Sequence, residues 1–585
     1  MSNKNDHDIY IIPPNFIESG TFFGGMFRAR NVIEAGILAF AIGVPVFMFV
    51  PFGLTTRIII LCLTALPAAL VALIGISGES LSEFLIIFLK YLRNRRIVGG
   101  DGQQPNEQAP PMKRPGRHLK QRAPKEKESR PPKRRRSGES DFPAEFDEVR
   151  SYEIREKLRP KKKPKKELSS KKAKKKTNKR KEKARPPKRP AHIKEQPPTC
   201  LNPVADYLPI EKIQNGIIYT KDHRYVKVVE VVPINFMLRS AREQRNIIYS
   251  FVSYLKISPV KLQIKVLTRR ADINRHLDTV RREMAQEKNK QCRLMQEDYL
   301  SFVQQIGARE AVTRRFFLIF EYEPWNNTRR SEQEEEAIQS LQSAVHTASN
   351  YLRQCGNEVI IPENEDEFTV DVLYNLLCRN ESAIKPLALR AQEIVAQYAA
   401  KGRESEIDHI PAAEFAAPKS IDFTHGRYLC IDGLYYAYLL IPSDGYKTQV
   451  PAGWLSLIVN AGDGIDMDMF FSRQPKERII QRVGQQLRIN RSKIKDASDT
   501  NTDFDDIDGA IRSGYFLKEG LANNEDFYYL NLLITVTAPT EEDLEWKVSE
   551  MKKLLLSQDM DVRSCHFREE QAFLSALPLV SMEKG

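Results

Sequence analysis

Two uncharged apolar stretches near the N-terminus restrict the fold of this chain most strongly. They cover residues 35–53 and 58–76, and each is 19 residues long, close to the ~20 residues that a helix needs to cross a bilayer core. Pro45 and Pro67 interrupt them, which membrane helices tolerate better than buried soluble helices do. A cleavable signal peptide would place a shorter apolar core directly after a basic start. We therefore predict a two-helix membrane hairpin; the alternative is a buried helical hairpin of a soluble protein.

Basic residues flanking the hairpin predict its orientation. A few residues around 51–57 connect the stretches, so both ends lie on one side of the membrane. Positively charged flanks favour the cytoplasmic side, and only Arg57 lies in the connection. The topology-setting residues are Arg28 and Arg30 before the first stretch, and Lys90, Arg93, Arg95 and Arg96 after the second. We predict a two-pass protein of the inner or plasma membrane with both termini in the cytoplasm.

A short amphipathic segment follows the second stretch. Its apolar residues are Phe84, Leu85, Ile87, Phe88, Tyr91 and Leu92. This spacing predicts a helix at the membrane interface with basic residues beyond it. The alternative is a helix packed on a partner subunit. Either way, residues 1–100 form one membrane module.

Residues 101–200 have a different composition. They hold 15 of the 34 prolines, and residues 111–200 carry 34 Lys and Arg against 12 Asp and Glu, in a chain of net charge +14. Few apolar residues are present to offset the entropy of folding, so we predict a disordered basic linker. The basic runs are Arg134, Arg135 and Arg136, then Lys161, Lys162 and Lys163, then Lys174, Lys175 and Lys176. A spacer attracted to anionic lipid, a contact with nucleic acid phosphates and a protein partner all remain open.

The rest of the chain, residues 201–585, predicts a mixed α/β domain. Ser240 and Glu243 form a capping box before a helix through Tyr254. In the first half, strands are expected at residues 216–219, 225–232, 260–266 and 316–322, with a long helix over 273–306. In the second half, strands are expected at 428–431, 434–441, 465–471, 527–536 and 561–567. Further helices should follow Pro451, cover 475–487 and begin at Thr540.

The repeated order of these elements indicates the fold class. Strands that alternate with helices in both halves predict an α/β or α+β domain with two similar lobes. The whole chain is then a two-helix membrane hairpin, a disordered basic linker and a mixed α/β (α+β, two-lobed) cytoplasmic domain. The order of the strands in the sheet stays open.

Known catalytic patterns are not found in the sequence. A P-loop ends in Gly-Lys because backbone amides cradle the phosphates and the lysine reaches them, yet no Gly in this chain is followed by Lys. Gly462 and Gly464 fit a turn better than a nucleotide loop. The acidic run over residues 499–509 lacks calcium-loop spacing and is expected to be a solvated loop.

The cysteines and histidines give no better candidate. Cys430 near His425 and Cys565 beside His566 could each pair a nucleophile with a base, but no third group is identifiable. We read the seven cysteines as reduced core thiols, because they are far apart and odd in number. We therefore predict no catalytic, cofactor-binding or metal-binding residue, no cofactor and no enzyme activity.

The N-terminal module resembles a known family. The residues that carry this are Ile9-Tyr10-Ile11-Ile12-Pro13-Pro14-Asn15-Phe16 and Arg28-Ala29-Arg30-Asn31-Val32-Ile33-Glu34-Ala35, with the hairpin to about Val98. They resemble the PrgI family, small membrane proteins of conjugative type IV secretion systems in Gram-positive bacteria. The resemblance implies the same location in the membrane.

The large domain resembles a different component of the same machinery. The matching residues include Tyr207-Leu208-Pro209-Ile210, Asn215-Gly216-Ile217-Ile218-Tyr219, Pro233-Ile234-Asn235-Phe236, Arg239-Ser240-Ala241-Arg242-Glu243-Gln244, Ile257-Ser258-Pro259 and Ala311-Val312-Thr313-Arg314-Arg315-Phe316-Phe317. They are similar to the N-terminal, non-motor half of the VirB/TraC/TrsE-type conjugation ATPases. In that family the ATPase half follows this region, whereas here no P-loop does, so the family's nucleotide-binding residues have no counterpart in this sequence.

Together the resemblances predict a structural subunit of a conjugative type IV secretion system that tethers or docks a separate motor ATPase. The expected partners are membrane lipids, other secretion subunits and a separate P-loop ATPase, with nonspecific nucleic acid contact through the linker. Two alternatives remain: a membrane-tethered nucleic-acid-binding protein, and an inactive product of a split or truncated ATPase gene.

Overall fold

The computed structural model describes residues 9–11, 21–22, 27–49, 53–76, 80–99, 200–259, 261–270, 274–307, 312–324, 330–443, 445–446, 449–451, 453–496 and 503–582. The expectations for the basic linker, including its arginine and lysine runs, fall outside these residues. So does most of the motif at residues 9–16.

Two long apolar helices form the N-terminal module. They are α1 (Ala29–Phe49) and α2 (Leu54–Ile74), and they pack against each other. Arg57 donates a hydrogen bond to the carbonyl of Phe47 at 2.8 Å beside the turn, and the side chain of Asn31 donates to the carbonyl of Leu73 at 3.3 Å at the other end. The predicted helical hairpin is present, with boundaries shifted by a few residues.

The apolar side chains of this hairpin point outward. Ile37 is 64% exposed, Phe40 72% and Leu63 76%. Residues 30–48 and 55–74 are both long and apolar enough to cross a membrane. A soluble core helix would bury such side chains, because exposing them to water costs free energy; these two helices bury few of theirs.

A third helix, α3 (Leu81–Asn94), follows the hairpin. The Glu34 carboxylate of α1 accepts hydrogen bonds from the backbone N–H of Ser82, at 3.1 Å, and from its hydroxyl, at 2.6 Å. Arg30 pairs with Glu34 and with Glu83. These contacts attach the start of α3 to the start of α1.

The remaining elements follow in chain order. The strands are β1 (Ile9–Ile11), β2 (Thr21–Phe22), β3 (Phe27–Arg28), β4 (Ile97–Gly99), β5 (Ile210–Gln214), β6 (Ile217–Thr220), β7 (Tyr225–Val232), β8 (Lys261–Arg270), β9 (Val312–Tyr322), β10 (Glu358–Ile360), β11 (Ser420–Asp422), β12 (Leu429–Ile431), β13 (Leu434–Ile441), β14 (Gln449–Pro451), β15 (Ile465–Gln474), β16 (Phe527–Ala538) and β17 (Arg563–Ser564). The helices are α4 (Pro203–Tyr207), α5 (Ala241–Ile257), α6 (Asn274–Gln286), α7 (Lys290–Gly307), α8 (Arg330–Gln354), α9 (Glu365–Leu377), α10 (Arg379–Ile384), α11 (Leu387–Ala400), α12 (Ala412–Ala416), α13 (Ser456–Val459), α14 (Lys476–Asp496), α15 (Asp503–Ala522), α16 (Glu541–Ser557) and α17 (Glu569–Ala576), with 3-10 turns at Phe236–Leu238 and Glu404–His409.

One large antiparallel sheet forms the centre of the domain. Its strand order is β4-β11-β12-β13-β16-β15-β8-β9-β7-β6-β5, with β10 added to β7 and β17 added to β13. Two small separate sheets pair β1 with β14 and β2 with β3. The predicted mixed α/β domain is therefore confirmed.

The order of the strands contains an internal repeat. Lobe 1 (residues 203–377) runs α4-β5-β6-β7-α5-β8-α6-α7-β9-α8-β10-α9, and lobe 2 (residues 412–576) runs α12-β11-β12-β13-α13-β15-α14-α15-β16-α16-β17-α17. The sheet order within each lobe is the same, because β5-β6-β7-β9-β8 corresponds to β11-β12-β13-β16-β15. The lobes meet where β8 pairs antiparallel with β15. The expectation of two similar lobes holds at the level of topology.

Three apolar clusters hold the helices on the sheet. The largest takes residues from both ends of the sheet, such as Ile210 of β5 and Ile421 of β11, together with α4, α9, α12 and α17. The sheet therefore curves around this shared core. On the opposite face, α5 and α8 cover lobe 1, and α13 and α16 cover lobe 2.

Several local predictions need correction. The long helix expected over 273–306 is two helices, α6 and α7, because the polar residues 287–289 interrupt the apolar spacing. The described part of the acidic run, residues 503–509, lies in α15 rather than in a loop. There Asp508 pairs with Arg512 one turn later, at 2.6 Å. The helix after Pro451 is the single turn α13, and only Arg563–Ser564 of the stretch 561–567 is strand.

The two ends of the linker lie beside each other. β4 pairs with the edge strand β11, and α4 packs against β4. Gly99 has a φ of 102°, and a Cβ there would lie 2.9 Å from Cγ2 of Val204. The interpretation of residues 101–200 as a spacer between the hairpin and the domain is wrong in this respect, because the chain already reaches the domain before the linker begins.

Candidate docking interface

The most distinctive contact surface joins α3 to lobe 2. Phe84, Phe88 and Tyr91 lie at positions i, i+4 and i+7, so they share one face of α3. Their rings surround Phe567, at centroid distances of 5.9, 5.2 and 5.2 Å, all edge-on. This arrangement is the one that aromatic quadrupoles favour. The Tyr91 hydroxyl also donates a hydrogen bond to the carbonyl of Thr424 at 2.6 Å.

Backbone pairing continues the interface beyond α3. β4 adds to β11 with Val98 opposite Ile421, and the N–H of Phe423 donates to the carbonyl of Arg96 at 3.0 Å. A segment that adds a strand to a sheet edge gains affinity from main-chain hydrogen bonds. The helix and the strand together fix residues 84–99 on lobe 2.

We call the contact of residues 84–99 with lobe 2 the α3 joint. A charged network lies at this joint. Arg96 pairs with Glu570 at 3.0 Å and lies over the ring of Tyr207, 5.4 Å from its centroid. The Tyr207 hydroxyl donates to Glu570 at 3.0 Å, and burial, followed by the Glu570 charge, raises the pKa of Tyr207. Glu570 thus connects α17 to residues on both sides of the linker.

Glu569 is the buried acid of this interface. It is 4% exposed, and burial raises the pKa of its carboxyl to about 8. Its carboxyl accepts a hydrogen bond from the backbone N–H of Phe567 at 3.2 Å. Burial also raises the pKa of Tyr91, to which the Glu569 charge adds. The neutral form of Glu569 is therefore favoured while the joint is closed.

The predicted topology-setting residues are distributed around this joint. Lys90 and Arg93 lie on α3, Arg95 caps its end, and Arg30 pairs with Glu83 in its first turn. Of Arg28 only the backbone, in β3, is described. Arg96 has a role that charge counting missed, because it binds Glu570. The orienting role of all six residues stays a prediction.

A second polar cluster lies where the lobes meet. Lys265 of β8 and Asp468 of β15 form a pair of 2.7 Å with side chains 2% and 0% exposed. Lys265 also donates to the carbonyl of Ala576 at 2.8 Å, and Gln263 donates to Asp468 at 2.8 Å while accepting from the N–H of Val580 at 2.8 Å. Burial raises the pKa of Asp468 to about 6. A substrate cannot reach groups this enclosed, so the cluster holds the two lobes and residues 576–580 together.

The first thiol candidate, Cys430 near His425, lies in surroundings that disfavour its thiolate. The His425 ring stacks on Tyr428 at 4.6 Å, and burial raises the pKa of Cys430. Burial also lowers the pKa of His566. A hydrogen bond with the backbone of Gly433 lowers the pKa of Cys430, but the larger effect of burial leaves it raised, whereas a nucleophilic cysteine requires a lowered pKa.

One group of possible metal-binding atoms comes together at Cys378, Glu381 and Asp432. Glu381 is held by Arg390 at 2.7 Å, and Asp432 accepts from the backbone N–H groups of Lys419 and Ser420. Burial raises the pKa of Cys378 to about 12. A cation would have to displace these partners and deprotonate the thiol, so the group serves to hold the loop before β11.

The joint could not be found from the sequence pattern alone. Phe567 is a lone aromatic residue between polar ones, and nothing local marks it as a contact. The one available signal is the i, i+4, i+7 aromatic face of α3, which we assigned to the membrane interface or a partner. The residues on the adjoining face, Leu85, Leu89 and Leu92, are 49–63% exposed, so the expectation of an interfacial helix stays open for them.

Comparison with known proteins adds one finding. A family model described as an archaeal TraC-like domain matches residues 211–358, from β5 to the start of β10. The match lies within lobe 1 and relates it to the conjugation ATPases. No curated protein matches the chain.

Proposed function

We propose that this chain is a membrane-anchored structural subunit of a conjugative type IV secretion system and that it docks a separate motor ATPase. The observation that carries the proposal is the TraC-like match across lobe 1. It occurs in a sequence with no Gly-Lys pair from which a P-loop could be built. The sequence resemblance of the N-terminal residues to the PrgI family supports the same assignment.

The exposure of the hairpin supports anchoring in the inner or plasma membrane. Both helices have the length and composition of membrane spans and present large apolar side chains outward. Their backbone polar groups are satisfied within each helix, which the hydrocarbon core requires. The basic flanks favour placing both termini in the cytoplasm.

The α3 joint supports a close connection between the anchor and the domain. Residues 75–80 separate α2 from α3, and six residues span at most about 20 Å. Lobe 2 would therefore lie near the lipid surface, with lobe 1 and its TraC-like region on the far side of the β8–β15 junction. Lobe 1, held at the membrane through lobe 2 in this way, would offer its TraC-like surface to a motor ATPase.

Membrane topology tests the anchoring. Reporter fusions after Arg96 and at Gly585 are both expected to read as cytoplasmic, since the hairpin returns the chain to its starting side. A reporter inserted between α1 and α2, next to Arg57, provides the opposite control. An external reading at Gly585 would contradict the hairpin.

Binding and turnover test the docking role. The full chain, purified in detergent, is expected to show no ATP turnover alone and to co-purify with a P-loop ATPase encoded in the same gene cluster. An unrelated P-loop ATPase is the control. Turnover by the isolated chain would reveal a missed nucleotide site, and failure to bind the clustered ATPase would favour a split-gene product.

A further inference from the structure

Helix α3 has a second apolar face, beside the aromatic face that docks on lobe 2. Leu85, Leu89 and Leu92 lie on it at positions i, i+4 and i+7, and they are 49%, 63% and 50% exposed. Ile86 adds to this side and is 52% exposed. We call these four residues the open face of α3. Exposing such a patch to water costs free energy, so a patch of this kind marks a contact surface.

The open face lies on the same side of α3 as the membrane hairpin. Ser82 donates to the Glu34 carboxylate of α1 through both its N–H and its hydroxyl. It precedes Leu85, Ile86 and Leu89 by three, four and seven positions, and residues with these spacings share one side of a helix. The open face therefore continues the exposed apolar surface of the hairpin, at the end where the chain enters and leaves it.

Exposed basic residues accompany the open face. Lys90, Arg93 and Arg95 are all exposed. Within the described part of the chain none of them is paired with a carboxylate, in contrast to Arg96, which pairs with Glu570. Basic residues beside an apolar helical face are typical of helices that lie in the headgroup region of a bilayer. Each contributes about 1 kcal/mol of attraction to an anionic lipid surface.

The bilayer around the hairpin is the occupant that the connection favours. Residues 75–80 alone separate α2 from α3, and six residues span at most about 20 Å. The open face therefore lies within reach of the lipid that surrounds the hairpin. A protein partner would need a surface that is both apolar and acidic, whereas an anionic bilayer provides both properties at its headgroup region.

We propose that α3 holds lobe 2 on the membrane surface. Its open face lies in the headgroup region of an anionic bilayer, while its aromatic face binds Phe567 in the α3 joint. This inference rests on the proposed anchoring by the hairpin, to which it adds a second contact with lipid. Lobe 2 is then seated against the membrane rather than joined to it only through residues 75–80.

Fluorescence quenching by labelled lipids tests this on the full chain in vesicles. A fluorescent amino acid replaces Leu89, and separate chains carry it at Leu63 in the hairpin or at Leu238 in lobe 1, which are 76% and 81% exposed. Lipids with a nitroxide near the headgroup are expected to quench position 89 several-fold more strongly than position 238. Position 63, probed with a nitroxide deep in the acyl chain, reports the anchor itself.

The outcomes at these positions separate the inference from the anchoring. Quenching at position 63 without quenching at position 89 would overturn the inference, leave the anchoring intact and favour a protein partner on the open face. Equal quenching at positions 89 and 238 would also overturn it, because the lipid contact would then not be specific to α3. An absence of quenching at both 63 and 89 would overturn the inference together with the anchoring.

A charge variant tests the preference for anionic lipid. Lys90→Gln with Arg93→Gln keeps the open face and the aromatic face. In vesicles that contain phosphatidylglycerol, it is expected to lower the quenching at position 89 to the level seen in phosphatidylcholine alone. Lys288→Gln with Lys290→Gln, two exposed lysines of lobe 1, is the matched control and should change nothing. Equal quenching of the natural chain in both kinds of vesicle would overturn the assignment to anionic lipid.

Discussion

Gly426 has no space for a side chain, because Cε1 of the Phe567 ring lies 2.5 Å from where its Cβ would be. Phe567 itself has a φ of 61°, a left-handed conformation that strains a bulky residue. Its N–H nevertheless donates to the carbonyl of Gly426 at 3.0 Å. The two residues are therefore locked together at the point where α3 docks, and the ring contacts with α3 offset the strain.

The substitution Gly426→Ala should loosen the α3 joint. The added methyl group must displace the Phe567 ring, and overpacking of this kind costs about 1–3 kcal/mol. We expect faster proteolysis between α2 and α3 and a lower midpoint of unfolding. Gly484→Ala is the matched control, because nothing lies within 4 Å of that Cβ in α14. If the two substitutions had equal effects, the close contact between Gly426 and Phe567 would not support the docking of α3.

Breaking the Lys265–Asp468 pair should strongly destabilise the large domain. Lys265→Met leaves the Asp468 carboxylate buried without its partner, which typically costs about 3–5 kcal/mol. Urea unfolding measures the loss, and Lys265→Met with Asp468→Leu should recover much of it. The control is Lys553→Met, whose pair with Glu550 is 67% and 48% exposed and contributes about 0–1 kcal/mol. A loss as small as that of the control would mean that the two lobes do not depend on this pair.

Stability should fall as the pH rises from about 5 to 8. Folding raises the pKa of Glu569 from 4.5 to about 8, so in this window the folded state keeps a proton that the unfolded state has lost. Each unit of pKa difference corresponds to about 1.4 kcal/mol. The difference in unfolding free energy between the natural chain and Glu569→Gln should therefore change by a few kcal/mol across this range. The exposed control Glu335→Gln should show no such change with pH. If the difference in unfolding free energy for Glu569→Gln did not change with pH either, Glu569 would not be a buried acid with a raised pKa.

The linker should bind polyanions without sequence preference. A fragment of residues 101–200 is expected to bind anionic vesicles or DNA at low salt and to be released steeply as salt rises, because each neutralised phosphate frees a counterion. A fragment with Lys161–Lys163 and Lys174–Lys176 changed to Gln should show a smaller salt slope. Binding that persists at high salt would instead indicate a folded recognition site.

Local rules predicted the local structure of this chain. The capping box of Ser240 and Glu243 is present, and Thr540 caps α16 through the N–H of Asp543. Each depends on residues three positions apart, so a single sequence contains the information. The alternating strand β8 and the apolar strand β9 were also found, since each carries its pattern within a few residues.

Contacts between distant residues could not be predicted in the same way. Phe567 meets Tyr91, and Lys265 meets Asp468 across about 200 positions; no local spacing relates either pair. In the sequence Lys265 alternates with apolar residues, a pattern that predicts a half-buried strand with Lys265 on its exposed face, yet Lys265 is 2% exposed. Lys265 is buried because residues 576–580 cover the polar face of β8. The order of the strands in the sheet produces this arrangement.

Because Gly99 lies next to Val204, the basic segment is an insertion between two parts of the chain that already contact each other. Its length does not set the separation of hairpin and domain, so residues can be added or removed there without moving either one. Doubling such a loop costs only about 0.6 kcal/mol of closure entropy. Related chains are therefore free to differ widely in this segment while the hairpin and the two lobes keep the same geometry.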